Sequence, residues 1–339
     1  MVQQSVIAAE VNLSQQTVSR VLTKPHLVRE ETRQRVLAAM QRHRYQTNHL
    51  ANKFRNRRLD MLGICIPSTR HSYFSGIIDG AQEVAGQRDI HVVIECTHNR
   101  SEAERSAIEM MRGLQFGGIL ITPTPGNEPF YADLREADFP FAFIDRYLDG
   151  FDSPFIGTND RAGAKLAVDH LVALGHGRIG LVTAAFDEPD LSSARDRREG
   201  FLDAMAGHGL APDDAWLLPG GYTSAAGEEA FARLMALPNT QRPTAVFCDH
   251  DSVAIGFVHA AVAAGLRVPD DVSVVGFANF EWSAFTSVPL TTIAQSPVEI
   301  GRQAARLLLD FDSLKQPRCV ELEPELVIRE STAPPKGRA

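Results

Sequence analysis

The stretch LSQQTVSRVL, Leu13 to Leu22, places Gln15, Gln16 and Arg20 among hydroxyl residues Ser14, Thr17 and Ser19. Those residue types have a specific chemistry. A glutamine amide bonds adenine through two atoms in the major groove of DNA, and an arginine does the same to guanine. Hydroxyls at the flanks suit phosphate oxygens, which fix position and carry no sequence information. At 100° per residue from Ser14, a helix would bury Val18, Val21 and Leu22 on one stripe. Gln16 and Arg20 then fall almost opposite, Thr17 and Ser19 at the edges, and Gln15 on the exposed first turn. A polar surface helix with no partner would look similar, because such patterns are short and degenerate.

The charge around this stretch favours a polyanion. Residues 1–58 hold eleven Lys/Arg against three Glu, a net of +8, while the remainder of the 339-residue chain carries −16. A basic head on an acidic body is the electrostatic footprint of a protein that binds nucleic acid with one end. Three helical patterns fit the head: roughly Gln4 to Glu10, Ser14 to Leu22, and Glu30 to His43 with Val36, Leu37 and Met40 on one stripe. Val11-Asn12-Leu13 separates the first two. Asparagine tolerates a left-handed backbone, so a tight turn fits there, and Ser14 is a good cap for the helix that follows. Two short helices joined by a tight turn make a helix-turn-helix.

Beyond residue 60 the pattern changes. Seven apolar runs, MLGICIP, HVVIECT, GGILITP, PFAFID, RIGLVTA, TAVFCD and VSVVGFA, alternate with amphipathic segments such as Ser101–Arg112, Arg161–Leu174, Ala194–His208 and Asp251–Ala264. Runs apolar on both faces imply parallel sheets covered by helices. The length implies two similar lobes. Ligands in such folds bind beyond the carboxyl ends of the strands, so the residues after each run are the ones to weigh. No run is long and apolar enough for a membrane span, and the N-terminus lacks a secretory pattern, which points to a cytoplasmic protein with no membrane partner. Cys65, Cys96, Cys248 and Cys319 form no CxxC and read as reduced structural thiols. No metal or cofactor is expected. No HExxH, GxxxxGK[ST] or GxSxG is present, and no GxGxxG follows a strand, so an enzyme is not expected and there are no catalytic residues to nominate.

The head closely resembles the DNA-binding domain of the LacI/GalR family of bacterial transcriptional repressors. The matching marks are TVSRVL at 17–22, E-T-R-x-R-V at 31–36 and Y-x-x-N at 45–48. The likeness continues through LVALGHGRIGLV (171–182), RPTAVFCDHD (242–251), GLRVPDDVSVVGF (265–277) and PLTTIAQ (289–295), so it covers nearly the whole chain. Two departures stand in the head: Asn12 where the family usually has glycine, and Arg29 where it usually has a serine cap.

The resemblance implies a helix-turn-helix domain at 1–46, a hinge helix at 47–58 and an effector-binding, dimerising body at 59–339. That body resembles periplasmic sugar-binding proteins. Its first lobe would span about 59–159 plus 291–320, and its second about 160–290 plus 321–332. Gln15, Gln16 and Arg20 match base-reading positions. Ser14, Thr17 and Ser19 match phosphate positions. Leu50 and Phe54 would share a stripe of the hinge helix, with Phe54 wedged into the minor groove or packed as an anchor on the body. Effector contacts would come from Tyr73, Phe74, Asp145, Arg146, Arg197, Tyr222, His250, Asp251, Asn279 and Trp282. Asp251 reads more readily as a cap of the following helix, and Trp282 reads also as core. Ala278 stands where the family often has an effector-binding Asp. That leaves room for an acidic or phosphorylated sugar held by His250 and Arg197, or for a repressor that has lost effector control. An Arg197→Ala protein is expected to fold and bind DNA while losing its response. The implied function is a homodimeric repressor of carbohydrate genes, bound to a pseudo-palindromic double-stranded operator and controlled by a sugar-like effector. A stand-alone sugar-binding receptor is the alternative.

Overall fold

The structure, a computed structural model, describes residues 4–23, 27–43, 59–70, 72–186, 191–310 and 318–336. It divides into two compact units, one ending at Leu59 and the other beginning at Asp60. The candidate hinge residues Leu50 and Phe54 lie outside the described residues.

Among its described residues the first unit holds three helices: α1 Gln4–Glu10, α2 Gln15–Thr23 and α3 Glu30–Arg42. Asn12 takes φ 53°, and the Leu13 amide closes the turn onto the Ala8 carbonyl at 2.9 Å. Asparagine thus does here what glycine does elsewhere, since its short polar side chain tolerates the left-handed well. Ile7, Ala8, Val11, Val18, Val21, Val36, Ala39 and Met40 form a small common core. Arg29 precedes α3 without a side-chain cap. The helix is fixed instead through its flanks: Arg35 donates to the Val11 carbonyl at 2.9 Å, and Arg42 and His43 both pair with Glu10.

The second unit holds two lobes of six strands. The first sheet contains β1 Leu59–Ile66, β2 His91–Cys96, β3 Phe116–Ile121, β4 Phe141–Ile144, β5 Phe155–Thr158 and β11 Cys319–Leu322, ordered β11-β5-β4-β3-β1-β2. The second contains β6 Ile179–Thr183, β7 Leu217–Pro219, β8 Ala245–Cys248, β9 Ser273–Ala278, β10 Thr291–Ala294 and β12 Glu325–Val327, ordered β12-β10-β9-β8-β6-β7. The lobes repeat one topology, and the described strand pairings are parallel except β10 with β12. The central strands are buried on both faces, which is why they read as unbroken apolar runs. All seven of those runs are strands.

Helices cover the sheets: α4 Ser72–Gly86, α5 Ser101–Gly113, α6 Glu128–Glu136, α7 Asp160–Ala173, α8 Ser192–Gly207, α9 Ser224–Met235, α10 Asp251–Ala263 and α11 Pro297–Leu309. Glycine allows some of them to touch backbone to backbone. A Cβ on Gly80 of α4 would collide with the Val298 carbonyl of α11, and one on Gly227 of α9 with the Val253 carbonyl of α10.

Among the described residues the chain crosses between lobes three times, and one crossing differs from the expected place. Residues 291–294 belong to the second lobe, because β10 pairs with β9. The passage to the first lobe follows Ala294, and α11 then joins the first lobe's core through Ile300, Ala304 and Ala305. The return follows β11, which pairs with β5 and ends at Leu322. TTIA is short and threonine-rich and follows Pro289-Leu290, so no apolar run marks it as a strand.

Candidate functional site

In the head, α2 separates its faces by burial. Val18 and Val21 are buried, while Gln15, Gln16 and Arg20 are exposed. Ser14 caps the helix: its Oγ accepts from the Thr17 amide at 3.1 Å and meets the Thr17 hydroxyl at 2.9 Å. Thr17 and Ser19 are half-buried at the edges. One surface therefore presents two amides and a guanidinium, rimmed by hydroxyls.

In the body, a cavity of about 520 Å³ opens where strands of both lobes end. Its first-lobe wall is built by Pro67, Ser68 and Arg70 after β1, by Tyr73 and Phe74 on α4, by His98 and Asn99 after β2, and by Asp145 and Arg146 after β4. The second lobe gives Ser193 and Arg197 on α8, Tyr222 and Thr223 after β7, His250 after β8 and Ala278 ending β9, and Gln295 follows β10. In both sheets the strand order reverses between the first and third strands, the switch point at which open α/β sheets bind ligands. Four lining residues other than glycine have left-handed φ: His98 54°, Asn99 54°, Asp145 67° and Ala278 118°. Asn99 and Asp145 tolerate that well through their short polar side chains, while at His98 and Ala278 it costs on the order of 1–3 kcal/mol, and such strain gathers at ligand sites.

The charges in the walls are anchored. Arg197 is 6 % exposed. It donates from Nε to Asp160 at 2.8 Å and from Nη1 to the Asp249 carbonyl at 2.9 Å, and its guanidinium lies 4.0 Å from the Phe277 ring centre. Burial alone would lower its pKa, but Asp160 and Asp249 outweigh that and hold it charged. Burial pushes Asp160 up to about 7 and Asp249 to about 6, against the pull of Arg197. Asp249 in turn accepts from the Thr183 hydroxyl at 2.6 Å and the Ala184 amide at 2.9 Å. Arg146 donates to Asn99 at 2.9 Å and lies beside Asp145, whose carboxyl is raised by burial and lowered by Arg146 and Arg197. Tyr222 and His250 meet edge to face at 5.5 Å.

Tyr73, Phe74, Asp145, Arg146, Arg197, Tyr222 and His250 thus come together, and three other candidates stand outside the cavity lining. Asp251 is fully buried. It accepts from the Phe280 amide at 2.9 Å, the Ser283 hydroxyl at 2.6 Å and the Thr292 hydroxyl at 2.5 Å, and so staples β10 to the turn after β9. Asn279 accepts from Arg329 at 2.7 Å. Trp282 packs on Phe280 at 5.3 Å and is 45 % exposed. Sequence reasoning missed Arg70, His98, Asn99, Ser193, Thr223 and Gln295. Counting outward from every strand end would have found His98, Asn99 and Gln295, although β10 was not legible as a strand. Among the described residues no group of three His, Cys, Asp or Glu could hold a metal, and no helix is long and apolar enough to cross a membrane.

Residues 6–48 match the family model of bacterial regulatory proteins, lacI family, and residues 168–332 match a periplasmic binding protein-like domain. The HTH-type transcriptional repressor PurR of Mannheimia succiniciproducens is 31 % identical over 328 residues, covering 96 % of this chain and 97 % of that protein. PurR of Escherichia coli O139:H28 is 29 % identical over 344 residues, with 96 % of each chain covered. The structure of the lac repressor dimer bound to operator and the anti-inducer ONPF superposes with a TM-score of 0.87 at 27 % identity, covering 98 % of this chain and 99 % of that one.

Proposed function

The chain belongs to the lacI family of bacterial regulatory proteins, is a DNA-binding regulator of transcription and not an enzyme, and on that footing we propose that it is a homodimeric repressor whose operator grip is set by a small polar effector held between its lobes. The carrying observation is the exposed surface of α2, where Gln15, Gln16 and Arg20 stand opposite the buried Val18 and Val21. We read it as a base-reading surface, with the hydroxyls of Ser14, Thr17 and Ser19 beside it suited to phosphates. Two such heads on a two-fold axis match a pseudo-palindromic operator. The dimeric, operator-bound state of the lac repressor supports this reading. A receptor without DNA function would have no use for that surface or for a head of net charge +8.

For the effector the cavity favours a sugar or sugar derivative, and hence control of carbohydrate genes. Tyr73, Phe74 and Tyr222 supply ring faces and edges for apolar sugar surfaces, while Asp145, Arg146, Asn99, Ser193 and Gln295 supply hydroxyl partners. A few convergent polar groups within an aromatic wall are what orient such ligands. Arg197 and Arg146 are both tied to aspartates within the walls, which weakens the case for an anionic effector. Ala278 adds a methyl group to the wall and leaves the cavity open. The test is a thermal-shift screen of the full chain against neutral sugars, sugar phosphates, sugar acids and, as compounds without a hydroxylated ring, planar heterocyclic bases, with operator selection from random DNA in parallel. Stabilisation confined to compounds without hydroxylated rings would overturn the sugar reading, and failure to enrich any DNA sequence would overturn the DNA reading.

A further inference from the structure

Two of the segments that line the cavity, one from each lobe, also hold each other, through residues beside the lining ones. After β4, Asp145 and Arg146 line the cavity and Tyr147 and Asp149 do not; at the start of α8, Ser193 and Arg197 line it and Ser192, Arg195 and Asp196 do not. The residues that do not line it bond across the lobes. The Tyr147 amide donates to the Ser192 hydroxyl at 3.0 Å, and the Tyr147 hydroxyl donates to Asp196 at 2.8 Å. Arg195 grips Asp149 with both terminal nitrogens, at 2.6 Å and 3.0 Å. Its guanidinium also lies 5.7 Å from the centre of the Tyr147 ring. Tyr147 is itself fixed to the first lobe, edge-on to Phe155 at 5.5 Å.

These bonds are independent of the chain crossings, which run through Thr158–Asp160, Ala294–Pro297 and Leu322–Glu325. The crossings tether the lobes, and the bonds at Tyr147 and Arg195 fix how far they close. A ligand that draws Asp145 and Arg146 toward Ser193 and Arg197 must also bring Tyr147 and Asp149 toward Ser192, Arg195 and Asp196, because each set shares a few residues of one backbone. We propose that Tyr147 and Asp149 with Ser192, Arg195 and Asp196 form an interlobe latch that sets the closure of the cavity, and with it the affinity for the effector. This rests on the reading that the cavity holds the effector. Thermodynamically the latch adds to the closed state only, so it shifts the closure equilibrium by its own differential stability and acts on ligand affinity in the same direction.

The test measures closure directly, in the full chain and without a ligand. Probes on Glu109 of the first lobe and Glu229 of the second, both exposed, are introduced through a noncanonical amino acid so that the native cysteines stay untouched. Electron–electron dipolar spectroscopy then reads the interlobe distance. In Tyr147→Phe/Arg195→Gln a second, longer population should replace much of the parent's single peak. Asp149→Asn, at a side chain 69 % exposed, should do so partially without disturbing the interior. The exchanged pair Asp149→Arg/Arg195→Asp should restore the short distance. An unchanged distance in both disrupted variants overturns the latch, and so does an opening that the exchanged pair fails to reverse. If the latch opens as expected while no member of a panel of D-glucose, D-ribose, D-glucose 6-phosphate and D-glucuronate stabilises either form, the latch stands and the sugar reading falls.

Discussion

Arg197 and Asp160 form an internal ion pair, Nε to Oδ1 at 2.8 Å, with side chains 7 % and 5 % exposed. The residue that the sequence offers as an effector contact is therefore also a structural charge. Removing one partner of such a pair leaves the other buried and uncompensated, and that cost dominates.

Arg197→Ala should accordingly destabilise the body by about 3–5 kcal/mol, where the sequence alone led us to expect a protein that folds normally and only loses its response. Denaturant unfolding of the full chain, followed by tryptophan fluorescence, checks this. A loss under about 1 kcal/mol, the range of exposed pairs, would mean that Asp160 finds water or another partner and that the pair is not structural.

Stability should fall as pH rises through the neutral range. Burial raises Asp160 from 3.8 to about 7 and Asp249 from 3.8 to about 6. Between the unfolded and folded values the native state binds more protons than the unfolded state, so unfolding becomes easier as pH climbs. The contribution is fully present below 3.8 and is lost once pH passes about 7. Asp271, held down to about 2 by Arg267, acts in the opposite sense but only below its ordinary value, while His170 and His176, which burial holds below their ordinary 6.5, also act in the opposite sense and offset part of the slope in the lower part of the window. Melting temperatures of the body transition should therefore decline from pH 5 to pH 7 and level off beyond. A melting temperature that climbs across that window would show that these carboxyls are ionised and satisfied in the fold.

In the head, Ser14→Ala should cost about 1 kcal/mol of helix stability through loss of the cap on the Thr17 amide. It should lower affinity for all DNA sequences alike. Gln16→Ala and Arg20→Ala should leave the fold intact and lose roughly 1–3 kcal/mol of discrimination at one base pair each. Equal losses on selected and random DNA for Arg20→Ala would remove it from base readout.

What was legible follows from where burial makes sequence pattern strict. The central strands of both lobes had to be apolar on both faces, and all of them could be read. β5, β7, β10, β11 and β12 are three or four residues long and sit toward the sheet margins, where threonine, proline and glutamate are tolerated, so they left no signal. The cavity was legible in outline because Tyr73, Asp145, Arg146 and His250 follow readable strands. Asp251 follows one too, but its environment is set by Ser283 and Thr292, residues 32 and 41 positions away. No local pattern carries that information. The burial of Arg197 was hidden for the same reason, since its partner Asp160 lies 37 positions earlier.

Glu104 shows a similar long-range arrangement in the first lobe. One carboxylate oxygen accepts from the Thr124 amide and hydroxyl at 3.0 Å and 2.8 Å, and the other from the Asn127 amide at 2.8 Å and from the Tyr131 hydroxyl. A glutamine there must aim its NH₂ at one obligate donor, the Thr124 backbone amide or the Asn127 side-chain amide, beside a hydroxyl that can turn to accept. Glu104→Gln should cost about 1–3 kcal/mol for each donor left unsatisfied. Equilibrium unfolding should report that loss, and a change within the experimental error of the parent would show that the loop from Thr124 to Tyr131 re-forms its bonds elsewhere.

The last prediction separates the residues that line the cavity from those that only neighbour it. Phe74 and Tyr222 form part of the wall, and Trp282 packs on Phe280 outside it. A ligand that binds only the folded state raises stability in proportion to RT ln(1 + [L]/Kd), so the thermal shift produced by an active sugar is a readout of the wall itself. Phe74→Ala and Tyr222→Ala should each abolish most of the shift, because a ring face lost from the wall removes both apolar area and the edge that orients it. Trp282→Ala should keep the shift in full, whatever it does to the baseline melting temperature. The comparison uses each variant's own ligand-free melt as reference, so a general loss of stability cancels. If Trp282→Ala loses the shift while Tyr222→Ala keeps it, the effector sits on the turn after β9 and the cavity is not its site.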